Sequence, residues 1–106
     1  MNIIYSCDNN YSWLAGISML SLLENNKHIE IIDIYIFIDN VEEDNCNKLL
    51  SISKKYNRKL KLINIQDLDI PEQFYTQRWP KSAFARLYAS DYLPNDLKSA
   101  LYLDCD

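Results

Sequence analysis

Glycine appears once in the 106 residues, at Gly16. Phosphate-binding loops of the G-x-G-x-x-G or G-x-x-x-x-G-K-[ST] kind need several glycines, for positive φ and close backbone approach, so both are excluded. Histidine also appears once, at His28, with no cysteine or second histidine at ligand spacing, which leaves an exposed loop residue rather than a zinc ligand. The three cysteines, Cys7, Cys46 and Cys105, are odd in number and lack C-x-x-C spacing, which favours a reducing compartment, the cytoplasm, over a disulfide scaffold. Excess positive charge is missing too. With 15 acidic against 11 basic side chains the net charge is -4, and nucleic acid is not expected as a partner. The densest basic stretch, Lys54, Lys55, Arg58, Lys59 and Lys61, reads as a solvated face at a helix end, where cations suit the helix dipole. No cationic leader precedes the first apolar residues. The longest apolar stretch, 11–23, contains three serines and falls short of the ~20 residues needed to span a bilayer.

What is present is 48% hydrophobic and 25% charged, the balance of one globular domain with a single core. Residues 2–6 are apolar and β-prone, and Cys7-Asp8-Asn9-Asn10 then reads as a turn into a helix over 11–24. Apolar residues lie on nearly every face of that helix, so it is expected to be covered on more than one side. The continuous run Ile34-Tyr35-Ile36-Phe37-Ile38 reads as a parallel strand buried on both faces. Asn40 and Glu43 have capping-box spacing before a helix with Cys46, Leu49, Leu50 and Ile52 as its inward stripe, closing near Tyr56. A third strand is expected over 60–65 and a loop over 66–81 containing Phe74, Tyr75 and Trp79, either a lid segment or a small satellite core. A helix over about 82–92, a turn at Pro94 and a last strand over 100–103 follow. This order implies an α/β layer architecture with a mainly parallel sheet.

In such sheets ligands bind beyond the carboxyl ends of the strands. The polar residues gather there: Asp8, Asn9 and Asn10 after the first strand, Asp39 after the second, Asp104 and Asp106 after the last. Residues i and i+2 of an extended segment point the same way, so Asp104 and Asp106 can direct two carboxylates at one hard divalent cation. D-x-D alone is a weak motif. Ten aspartates give roughly one by chance, and a second, Asp67-Leu68-Asp69, reads as a solvated loop.

The combination is more specific. Asn2-Ile3-Ile4-Tyr5-Ser6-Cys7-Asp8-Asn9-Asn10-Tyr11 at the start, Ser82-Ala83-Phe84-Ala85-Arg86-Leu87 later, and Leu101-Tyr102-Leu103-Asp104-Cys105-Asp106 at the end together resemble the amino-terminal half of glycosyltransferase family 8. That family includes lipopolysaccharide galactosyl- and glucosyltransferases and glycogenin. The resemblance implies a Rossmann-like nucleotide-binding domain of GT-A type and transfer of a hexose, galactose or glucose, from a UDP-sugar to a saccharide or lipopolysaccharide-type hydroxyl with retention of configuration. It further implies that Asp8, Asn10 and Tyr11 hold the uridine, with Tyr11 stacked on the base. Arg86 would lie near the donor sugar and diphosphate. Asp104 and Asp106 would ligate Mn2+ or Mg2+, with Asp104 also close to the ribose. A planar permanent cation and a metal on two carboxylates both suit a diphosphate that no glycine loop can cradle.

A plainer reading stands beside this one, in which Asn10 caps a helix, Tyr11 begins its buried face and Arg86 is a surface or structural side chain. Family members continue past the D-x-D, where a histidine normally completes the metal site. Residues 1–106 are therefore expected to form the nucleotide-sugar-binding half of a longer domain and to be inactive alone, with any peripheral membrane contact lying in the missing part. The rival readings fit less well. One is a non-catalytic α/β nucleotide- or partner-binding module, a receiver-like domain or a decayed transferase remnant; a receiver needs an acidic pocket from the first and third strands with a lysine after a later one, but Asp8 is single and the third strand ends in Asn64-Ile65-Gln66. A phosphohydrolase needs a nucleophile or water-activating group beside the pair, and Cys7 and Cys105 have no histidine base.

Overall fold

A computed structural model describes residues 1–65, 93–94 and 99–105. The elements are β1 (Asn2–Asp8), α1 (Ser12–Asn25), β2 (Asp33–Asp39), α2 (Glu43–Lys55), β3 (Lys59–Asn64) and β4 (Leu101–Tyr102). The expected loop over 66–81 and helix over 82–92, with Asp67, Asp69, Phe74, Tyr75, Trp79 and Arg86, lie outside the described residues, as does Asp106.

The strands form a sheet in the order β3-β2-β1-β4, and every described pairing is parallel. Both β-α-β crossovers step in the same direction. Because such crossovers are right-handed, α1 and α2 share one face of the sheet. The register fixes which side chains meet them: Ile3 pairs with Ile34 and Tyr5 with Ile36. These four, with Cys7, pack against Ala15, Met19 and Leu23 of α1 and Leu49 of α2. Burying each large aliphatic side chain of this core contributes roughly 1.5–3 kcal/mol. The other face is closed as well around β2, where Tyr35 and Phe37 are buried, and the continuous apolar run behaves as a strand covered on both sides.

Three local expectations are corrected. The helix expected to be covered on more than one side has one open flank. Trp13 is 62% exposed, Ile17 56% and Leu20 37%, because their i, i+4, i+7 spacing sets them on the side of α1 turned from the sheet. The capping box Asn40 to Glu43 does not form: the N-cap of α2 is Glu42, which has no side-chain cap, and Asn40 takes a left-handed turn conformation at φ 50°. Leu50, assigned to the inward stripe of α2, is 37% exposed, and Ser53 is buried in that helix instead.

The basic cluster is solvated at its lysines, but Arg58 is half-buried and structural. Its guanidinium donates to the carbonyls of Ile29 (2.6 Å), Glu30 (2.9 Å) and Asn26 (3.4 Å), tying the amino end of β3 to the loop that enters β2. Just before it, Asn57 at φ 55° closes α2 by a Schellman arrangement. The Asn57 N–H donates to the Lys54 carbonyl (3.0 Å) and the Arg58 N–H to the Ser53 carbonyl (2.8 Å). Asparagine therefore takes the left-handed positions that glycine usually fills.

A polar turn at the carboxyl edge

The carboxyl edge is built by the ends of β1 and β2, which finish level with each other on Asp8 and Asp39. From Asp8 the chain turns into α1. The Asp8 carboxylate does the capping here: its Oδ1 accepts the Tyr11 N–H at 2.9 Å, satisfying a donor that the start of α1 leaves open. The plainer reading of Asn10 and Tyr11 is not what forms. Asn10 is exposed, α1 has no side-chain cap at its N-cap Tyr11, and Tyr11 is 52% exposed rather than the first residue of a buried face. A polar amide and an aromatic ring thus stand free at the end of the central strand.

Asn9 faces the other way. Its Oδ1 accepts from the Glu42 N–H and from the Asn45 Nδ2, both at 2.9 Å, and its backbone carbonyl accepts from the Ser12 hydroxyl at 2.8 Å. One side chain therefore joins the β1–α1 turn to the first turn of α2 and supplies the cap that the Asn40 spacing does not. Sequence reasoning grouped Asn9 with its polar neighbours and gave it no role. Its partners lie 33 and 36 residues away, and only the register of two adjacent strands brings them together.

Asp104 approaches the same edge from the neighbouring strand. β4 pairs with the start of β1, Ile4 opposite Tyr102, and the chain continues alongside it: the Leu103 N–H donates to the Ile4 carbonyl (2.9 Å) and the Cys105 thiol to the Ser6 carbonyl (3.2 Å). Asp104 is exposed between them. Asp8 ends β1, Asn10 and Tyr11 follow in the turn into α1, and Asp104 lies two residues beyond β4, which runs parallel beside β1. Arg86 and Asp106 are outside the described residues, so the expected carboxylate pair is represented by Asp104. Among the described residues no group of three His, Cys, Asp or Glu side chains converges on a point where a metal would be held.

Two of the thiols near this edge are pushed up from the ordinary thiol range. The hydrogen bond with Cys105 and burial push the Cys7 thiol far up from its ordinary value, and burial followed by Glu43 pushes Cys46 up. None of the three cysteines is in a disulfide. Beneath them the Tyr5 hydroxyl, hydrogen-bonded to Ser18 at 3.0 Å, is held protonated by burial. His28 is exposed in the turn after α1, as a lone loop histidine should be. No described helix is long and apolar enough to cross a membrane.

Comparison with known proteins agrees with the residue pattern. The family model for glycosyl transferase family 8 matches residues 2–106. A lipopolysaccharide 1,2-glucosyltransferase of Escherichia coli is 33% identical over 105 residues, covering 99% of this chain and 31% of the relative. A lipopolysaccharide 1,3-galactosyltransferase of Salmonella typhimurium is 24% identical over 105 residues, with the same 99% and 31% coverage. In structure, the galactosyltransferase LgtC, solved with donor and acceptor sugar analogs, superposes with a TM-score of 0.71 at 22% identity, over 100% of this chain and 38% of LgtC. The bifunctional glycosyltransferase WbbM superposes with a TM-score of 0.80 at 17% identity, over 99% of this chain and 18% of WbbM. The chain therefore spans about a third of the length of the curated relatives it matches. Its fold is the α/β, GT-A type of these structures, and the chain belongs to glycosyl transferase family 8.

Proposed function

We propose that residues 1–106 form the nucleotide-sugar-binding half of a retaining hexosyltransferase. Its donor is a UDP-hexose, galactose or glucose, and its acceptor a hydroxyl of a saccharide of the lipopolysaccharide kind. The observation that supports this most directly is the open Asn10–Tyr11 pair at the carboxyl edge of a family 8 chain, where ligands of parallel sheets bind. Tyr11 offers a π face to the uracil ring, and Asp8 and Asn10 match its donor and acceptor edge or the ribose. Asp104 lies near the ribose and, with Asp106, holds Mn2+ or Mg2+, for which hard carboxylate oxygens are the appropriate donors. The ion supplies charge neutralisation to the departing diphosphate. Arg86 adds a permanent cation on the donor side.

Two carboxylates form an incomplete ligand set for such an ion, so in this reading the metal is held firmly only when a third protein ligand joins it. The chain alone binds UDP weakly and transfers no sugar. A nucleotide-sugar donor and cysteines outside any disulfide fit the cytoplasm, and any membrane contact lies in the longer part that the relatives possess. The parent protein, titrated with UDP in the presence of manganese, is expected to bind, and Asp104→Ala and Asp106→Ala are each expected to abolish most transfer. Absence of UDP binding, or full transfer by both variants, overturns the assignment.

A further inference from the structure

A flat ring that must meet a base is useful only if the backbone beneath it is held still. Tyr11 is half-exposed and Asn10 exposed, so their own side chains do little to fix this turn. The residue before them does. Asn9 grips the first turn of α2 through its side chain, by the bonds to Glu42 and Asn45, and the first turn of α1 through its backbone carbonyl, by the bond to Ser12. We propose that Asn9 is a positioning residue for the nucleotide site, with Asn45 as its partner, setting the orientation in which Asn10 and Tyr11 stand out from the carboxyl edge. This rests on the reading that Asn10 and Tyr11 meet the uridine.

The chemistry of the clamp makes the inference specific. Both groups that reach Asn9 Oδ1 are N–H donors, so position 9 acts in the clamp only as an acceptor. A carboxylate there keeps both bonds, and its charge lies close to the amino terminus of α2, where the helix dipole favours it. Position 45 must donate. A carboxylate at 45 sets two acceptors against each other and opens the clamp.

The test is UDP affinity of the 106-residue chain in the presence of Mn2+, measured by tyrosine and tryptophan fluorescence or calorimetry beside a thermal melt of each variant. Asn9→Asp is expected to bind UDP within about twofold of the unmodified chain, and Asn9→Ala and Asn45→Asp about tenfold more weakly, the scale of one or two lost hydrogen bonds. Asn45→Ala, which removes a single bond, falls between. Arg58→Ala is the control for general stability. It breaks the three carbonyl contacts at the amino end of the sheet, so it lowers the melting temperature and leaves UDP affinity unchanged. Equal affinity for Asn9→Ala and the unmodified chain, a loss in Asn9→Asp as large as in Asn9→Ala, or a matching loss in Arg58→Ala each overturns the positioning role. If the unmodified chain binds no UDP, the nucleotide reading itself fails and the positioning role falls with it.

Discussion

The one glycine sits where a glycine is least needed. Gly16 lies inside α1, is buried, and has no positive φ, so nothing in its backbone requires the missing side chain. It forms the floor of an apolar groove of about 230 Å³ between α1 and α2, walled by Trp13, Ile17, Leu49 and Ile52. A methyl group there meets Ile52 Cδ1 at 3.5 Å and Leu49 Cδ2 at 3.6 Å, ordinary van der Waals contact. Gly16→Ala is therefore expected to stabilise the fold by two separable effects. Replacing glycine by alanine in a helix interior is worth about 0.8–1 kcal/mol. A buried methyl adds up to about 0.8 kcal/mol. Together these give between about 1 and 2 kcal/mol, or a rise in melting temperature of roughly 5–15 °C for a domain of this size. Urea unfolding followed by tryptophan fluorescence, with calorimetry for the melting temperature, measures it. The midpoint should rise with an unchanged slope. A midpoint equal to or below that of the unmodified chain refutes the reasoning, because it means that the α1–α2 approach has no room for a methyl.

Asn57, at φ 55° in the Schellman turn, should accept glycine with little change, whereas Asn57→Val is expected to cost about 1–2 kcal/mol of stability in the same urea assay. The thiols Cys7 and Cys46 should resist alkylation by iodoacetamide at neutral pH in the folded chain and react at the ordinary rate in urea. Their folded values are raised, so the stability linked to them is present below the ordinary thiol range of about 8.5 and is lost as the pH rises above it. A denaturation midpoint that rises between pH 8 and pH 10 contradicts this.

Much of this fold is legible in the sequence because periodicity reports burial. Ile34 to Ile38 could be read as a doubly covered strand from its composition, and the alternation of helices and strands implies a parallel sheet. What periodicity misses is cover supplied from a distance. Trp13, Ile17 and Leu20 look like core residues, yet their exposure depends on what stands opposite them. Helix caps fail for the same reason. Asn40 and Glu43 have the right local spacing, but the Glu42 N–H is taken by Asn9, 33 residues away, which no local rule anticipates. Asn57 shows the converse, a turn whose signal goes unnoticed because asparagine rather than glycine supplies the left-handed residue. At the candidate site, Asp8, Asn10, Tyr11 and Asp104 are visible as polar residues at strand ends, and family resemblance gives them roles. The Asn9 clamp that joins this turn to α2 is visible only in three dimensions.

Amide chemical-shift mapping of the isotope-labelled chain with UDP and Mg2+ tests nucleotide recognition at this edge most directly. Binding there predicts saturable shifts confined to Asp8, Asn9, Asn10, Tyr11 and Asp104 and their neighbours, with the amino end of the sheet around Arg58 unmoved. Absence of saturable shifts, or shifts centred on Arg58 and the loop entering β2, would contradict it.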